Sequence, residues 1–263
     1  MAELIAPFEP LDDFERRDIT LKGKTRRVYL AGTGPAVIVM SEMPGIYYNV
    51  ARFARWVRDA GFTVWMPHMF GDDGRPPSQG YMVRSMARAC ISREFHAFAA
   101  NRSSPIVDWL RALAAQAFEE CGGKGVGAIG MCFTGNFALN LMLEKSVLAP
   151  VLAQPSLPIM HRGGMHISPE ELRCVRERLD QEDLTVLAYR FEGDKFCRHE
   201  RFTEYQAALG DRFIATELPD EAAAADVPFP PHSVVTLHLI DEAGQPTRRA
   251  VDEILAFYRL RLT

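Results

Sequence analysis

Cys132 stands in Gly127-Ala128-Ile129-Gly130-Met131-Cys132-Phe133-Thr134-Gly135-Asn136, where a short apolar run passes through a glycine-flanked turn into a helical run from Phe137 to Leu143. A cysteine at such a strand-to-helix corner has its side chain pushed out above the sheet edge, near the positive end of the following helix, which is the setting of a nucleophilic thiol. The residues two before and two or three after the corner pass close to one another, so Gly130 and Gly135 answer a steric demand. Thr134 occupies the place where the G-x-S-x-G spelling has its second glycine. The motif alone is also what a small buried cysteine behind a core strand looks like. A thiol nucleophile needs a base to take its proton and an acid to orient that base. In chain order the sequence offers Asp194, in Glu192-Gly193-Asp194, and then His232.

The elements around these residues must bring them to one edge. Asp18 to Leu21 and Thr25 to Leu30 are β-prone runs separated by Lys22-Gly23-Lys24, the pattern of an antiparallel hairpin. Ala36 to Met40, apolar on both faces, and Phe62 to Met66 read as buried parallel strands, with apolar positions at helical spacing from Asn49 to Ala60 between them. Pro67 to about Gly80 is polar, rich in Gly, Asp and Pro, and reads as a loop of functional length. Ser104-Pro105 has the cap chemistry to open a helix through Ile106, Leu110, Leu113 and Ala117. Val147 to Leu152 reads as a strand, and Ser168-Pro169-Glu170-Glu171 is a capping box opening a helix to about Leu179. Leu184 to Phe191 follows as a strand, Phe202 to Leu209 as a helix, Arg212 to Leu218 as a strand and Thr247 to Leu262 as a closing amphipathic helix. Strands and helices alternate, so the expected fold is one α/β domain over residues 1–263, an open, mostly parallel sheet with helices on both faces and an N-terminal antiparallel hairpin. In such sheets ligands bind beyond the carboxyl ends of the strands, where Glu42, Cys132 and Asp194 fall, with His232 in the loop after the last strand.

Composition narrows the partners. With 30 basic and 34 acidic residues interspersed and a net charge of -4, the chain lacks the electrostatic footprint of a nucleic-acid or anionic-membrane binder, which leaves a small-molecule substrate. Five cysteines, Cys90, Cys121, Cys132, Cys174 and Cys197, without C-x-x-C spacing argue against a disulfide framework and a structural zinc site. The N-terminus has no basic region followed by an apolar core, and no apolar run approaches the roughly 18 residues of a membrane span. A cytoplasmic monomer or small homo-oligomer is the expectation.

Taken together, Ser41-Glu42-Met43-Pro44-Gly45, Gly130-Met131-Cys132-Phe133-Thr134-Gly135, Gly193-Asp194 and His232-Ser233 resemble the dienelactone hydrolase family, a cysteine branch of the α/β-hydrolases, over about residues 18 to 262. The resemblance implies hydrolysis of an ester or lactone through a thioester, with Cys132 as nucleophile, His232 as base and Asp194 holding the imidazole tautomer. It implies an oxyanion hole from the backbone N–H groups of Phe133 and Met43 and no metal or organic cofactor. It further implies that Glu42 holds the resting thiol until substrate displaces it, which predicts a Glu42 oxygen in contact with Cys132 Sγ. Arg84, Arg88 and Arg93 are candidates to anchor a substrate carboxylate, and nothing in the sequence selects among them.

Competing roles are available for some of these residues. His238 falls in the β-prone run Val234 to Ile240 and reads as structural rather than as the base, while His68, His161, His166 and His199 lie in or near loops. A class I glutamine amidotransferase also sets a cysteine on a glycine-flanked elbow, but its histidine and carboxylate lie two residues apart, and His232-Ser233-Val234 carries no acid. A non-catalytic binding member of the fold is the remaining alternative.

Overall fold

The computed structural model describes residues 6–263; residues 1–5, the start of the irregular lead-in, lie outside the described region. Eight strands form one sheet: β1 (Glu15–Leu21), β2 (Lys24–Ala31), β3 (Ala36–Met40), β4 (Thr63–Pro67), β5 (Val126–Met131), β6 (Val147–Ala153), β7 (Val186–Phe191) and β8 (Phe213–Leu218). Their order across the sheet is β1-β2-β4-β3-β5-β6-β7-β8. The hairpin β1–β2 is antiparallel, β2 joins β4 antiparallel, and every pairing from β4 to β8 is parallel.

The helices are α1 (Tyr48–Asp59), α2 (Gln79–Ile91), α3 (Ile106–Cys121), α4 (Phe137–Leu141), α5 (Pro169–Gln181), α6 (His199–Leu209) and α7 (Pro246–Leu262). Period-two strands split their side chains between two apolar layers. Along β3, Ala36, Ile38 and Met40 enter the layer shared with α3, α4, α5 and α6, while Val37 and Val39 enter the layer shared with α1 and α7. All five β3 residues are fully buried, as a strand covered on both faces requires. No helix among the described residues is long and apolar enough to cross a membrane.

Two local expectations need correction, and one helix had no reading in the sequence. Helix α2 follows the long loop directly, although its inward positions Tyr81, Ser85 and Ala89 include a serine and an alanine and so give little amphipathic contrast. Val234 to Ile240 is not a strand: residues 234–238 are turns, held by the His238 N–H on the Ser233 carbonyl and the Thr236 hydroxyl on Glu42. Ser104 does not cap α3 with its side chain; its hydroxyl donates to the Phe95 carbonyl and accepts from His166 Nε2 at 2.6 Å. The capping box at Ser168 and Glu171 does open α5.

His166 is fully buried in this junction, which ties the segment between α2 and α3 to the segment between β6 and α5. Burial disfavours the charged ring and pushes its pKa down from 6.5 to about 4. A ring whose folded pKa is depressed contributes stability above its unfolded pKa and loses it as pH falls, because the unfolded chain binds the proton that the folded ring refuses. Urea denaturation of the protein and of His166→Gln should therefore diverge between pH 6.5 and about 4. The unmodified protein should lose on the order of 3 kcal/mol more than the variant over that range; parallel curves would show that His166 does not carry the acid sensitivity.

Candidate active site

Strand register brings the candidate residues to one edge. Met40 of β3 pairs with Gly130 of β5, so two residues further on Glu42 arrives level with Cys132. Met131 pairs with Ala153 of β6, which sets Gln154 beside Cys132 on the other side. Asp194 lies three residues beyond β7, and the segment after β8 carries His232 back to it. The chain runs from β3 outward to β4 and returns to β5 on the opposite side of β3, so the site opens where the winding reverses, as crevices in open α/β sheets do.

Cys132 has φ of 53°, the left-handed region that a non-glycine residue enters only when its surroundings force it. The forcing contacts are local. A Cβ on Gly130 would stand 2.1 Å from the Thr134 carbonyl oxygen, and one on Gly135 would stand 2.5 Å from Pro155 Cα, so neither position admits a side chain. Thr134 does what a glycine could not: its hydroxyl accepts from the Met131 N–H at 2.9 Å and lies 3.0 Å from the Met40 carbonyl as donor, pinning the corner to the end of β3. Behind the corner Phe133 packs edge-on against Phe70 and Phe95 at centroid distances of 5.3 and 5.4 Å, which fixes the peptide that follows Cys132.

His232 Nδ1 meets Asp194 Oδ2 at 2.7 Å, with the carboxylate fully buried. Asp194 is itself oriented, since Oδ1 accepts from the N–H groups of Phe196 at 2.8 Å and Cys197 at 2.9 Å. The other ring nitrogen, Nε2, is buried without a hydrogen-bond partner. Burial disfavours the charged ring, but the Asp194 carboxylate and the nearby Cys132 sulfur outweigh it and hold the His232 pKa well above the ordinary histidine range. No hydrogen bond joins His232 Nε2 to Cys132 Sγ among the described residues. His238 is engaged elsewhere: Nδ1 accepts from the Ser233 N–H at 3.1 Å and Nε2 donates to the Phe229 carbonyl at 3.2 Å, a neutral clasp across both sides of His232. The partner of His232 is an acid on a different loop, unlike the closely spaced pair of the amidotransferases.

Glu42 is buried and accepts from four side chains. Oε1 takes the hydroxyls of Tyr47 at 2.6 Å and of Thr236, and Oε2 takes Ser233 Oγ at 2.8 Å and Gln154 Nε2 at 3.2 Å. Among the described residues no hydrogen bond joins Glu42 to Cys132 Sγ, although the two line the same cavity. Tyr47, Gln154, Ser233 and Thr236 had no reading of their own in the sequence; the one available signal was that Gln154 directly follows a buried strand and Ser233 directly follows His232.

A cavity of about 440 Å³ opens over Cys132, lined by Glu42, Met43, Phe133 and His232 among others. Its volume is ordinary for a small-molecule site. Neither the Met43 nor the Phe133 N–H is engaged in a hydrogen bond among the described residues. Arg84, Arg88 and Arg93 do not line this cavity, which corrects their candidacy: α2 turns Met82, Met86 and Cys90 to it instead. Arg84 and Arg88 lie exposed, as i+2 neighbours of those residues must. Of the remaining histidines only His161 reaches the cavity; His68 bonds Asp73 and His199 bonds Glu217. Cys197 is buried behind Asp194.

An eight-stranded, mostly parallel sheet with a cysteine on a strained corner and a paired Asp and His at the same edge defines an α/β-hydrolase-type protein. The dienelactone hydrolase family model matches residues 26–173, more than half of the chain, and the chain belongs to that family. Membership makes it an ester or lactone hydrolase. No curated protein sequence matches it significantly. Among solved structures, a provisionally named dienelactone hydrolase from Klebsiella pneumoniae subsp. pneumoniae superposes with a TM-score of 0.63 at 14% identity, covering 92% of this chain and 98% of that one. A dienelactone hydrolase-like promiscuous phosphotriesterase from metagenomic libraries gives 0.57 at 18% identity, over 94% and 98% of the two chains. A cold-adapted esterase from an Arctic intertidal metagenomic library gives 0.58 at 13%, over 98% of each. At these identities the superpositions establish the fold.

Thr134→Val tests how the corner is held. Valine keeps the shape but leaves the buried Met131 N–H without an acceptor, so the variant should lose about 1–3 kcal/mol in denaturant unfolding; unchanged stability would mean that the hydroxyl staple does not hold the corner.

Proposed function

We propose that the chain hydrolyses carboxylic esters or lactones with a Cys132, His232 and Asp194 triad through a thioester. The observation that carries the reading is the 2.7 Å His232–Asp194 hydrogen bond, which leaves Nε2 unpartnered in the cavity that Cys132 lines. Asp194 accepts from Nδ1–H and so selects the tautomer whose Nε2 can take the thiol proton. The sulfur then attacks the carbonyl carbon, and the oxygen that becomes negative accepts from the N–H groups of Phe133 and Met43, each such donor being worth about 3–4 kcal/mol in the transition state. As the C–O bond breaks, the imidazolium returns the proton to the departing alkoxide. Water repeats the sequence on the thioester, with His232 as base, and releases the acid and the thiol.

Glu42 serves in this reading as a positioning residue. Its bonds to Ser233 and Thr236 hold the histidine loop to the end of β3, and its bond from Gln154 holds the end of β6, so the distance from ring to sulfur depends on it.

A panel of p-nitrophenyl esters and lactones, assayed with Cys132→Ala as the blank, tests the triad. Hydrolysis should vanish in Cys132→Ala and fall about 10²- to 10⁴-fold in His232→Gln, while His238→Gln should keep the pH profile of the unmodified protein. Full esterase activity in Cys132→Ala would overturn the reading.

A further inference from the structure

The cavity over Cys132 has two unlike sides. On one, α2 presents Met82, Met86 and Cys90, residues four apart that form a single stripe down the helix, with Pro77 closing its start. All three are half-buried and Pro77 is buried, and α2 contributes no charged side chain to the lining. Methionine is unbranched and polarizable, so this wall can repack around flexible or flat apolar groups.

Another part of the lining is open to solvent. Met160 is 89% exposed and Phe196 61% exposed there, beside Lys195 and Arg198. The cations of this side do not form a built anion site. Arg201, buried in the wall, gives its terminal nitrogens to the backbone carbonyls of Leu157, Pro158, His161 and Gly164. Arg162 lies in solvent 3.9 Å from Glu200, where a charge contact is heavily screened.

Chemistry assigns the two sides. The alcohol must leave before water can attack the thioester, so it belongs toward the open mouth, and the acyl group that stays bonded to sulfur belongs against the enclosed wall. Resting on the thioester reading above, we infer that this enzyme selects esters with an uncharged, apolar acyl arm, which lies along the Met82, Met86 and Cys90 stripe of α2.

The test uses p-nitrophenyl esters from acetate to octanoate, together with ω-carboxylated acyl esters of matching length. The ratio kcat/KM should climb roughly three- to fourfold per methylene until the wall is covered, and each ω-carboxylate should run at least tenfold below its alkyl counterpart. Met82→Gln with Met86→Gln should flatten the climb. A flat series, or a preference for the ω-carboxylates through the mouth cations, would overturn the inference while leaving the triad intact. A second readout does not require turnover: alkyl methyl ketones should protect Cys132 from iodoacetamide, more strongly as the chain lengthens. Length-dependent protection without hydrolysis of any ester would uphold the apolar wall and sink the hydrolase reading; no hydrolysis and no length dependence would sink both.

Discussion

The corner at Cys132 is the constraint on which the rest of the site depends. A φ of 53° at a cysteine is unfavourable by itself, and it persists because the chain has no alternative path there. Gly130 and Thr134 are in backbone contact, Gly135 is against Pro155, and the Thr134 hydroxyl joins the corner to β3. The strained residue is thus over-determined by its neighbours, and its side chain has one direction available, out over the sheet edge into the cavity. Phe133 transmits the same rigidity to its own N–H, because its ring is wedged between Phe70 and Phe95.

Two buried carboxylates at this edge have opposite duties. Asp194 faces a titratable ring and shifts its proton affinity, whereas Glu42 faces hydroxyls and an amide and organises chain. The segment between β8 and α7 has little regular structure of its own, so its geometry must come from outside. Glu42 supplies it through Ser233 and Thr236, α1 supplies it through Asn49 and Arg52 bonding the Thr236 carbonyl, and His238 clasps it from within. A buried carboxylate left short of donors would be costly. With four donors the burial is offset, and the site acquires a junction between β3, β6, α1 and the histidine loop.

Arg201 plays the corresponding part on the mouth side. One buried guanidinium collects the carbonyls of Leu157, Pro158, His161 and Gly164, so a wall of the cavity is shaped by a single side chain of α6. The fork geometry of arginine suits this role, since its donors diverge in a plane and reach carbonyls that no ammonium could span together.

How much of this was legible in the sequence follows from how local each cause is. The glycine-flanked corner, the buried strands, the hairpin and the order of Cys132, Asp194 and His232 rest on backbone sterics, side-chain period and chain order, all of which act within a few residues or along a monotonic path through the sheet. The partners of Glu42 could not be read this way. Thr236 and Ser233 lie more than 190 residues from it, at separations of 194 and 191, and only the strand order and the fold of the histidine loop bring them together. The face that α2 turns to the cavity was likewise undecided, because its arginines and methionines alternate along one helix and the choice of inward stripe is made by what it packs against. Periodicity announces that a helix has two faces; the tertiary structure, by turning one of them to the cavity beside Cys132, decided that the methionines and not the arginines line it.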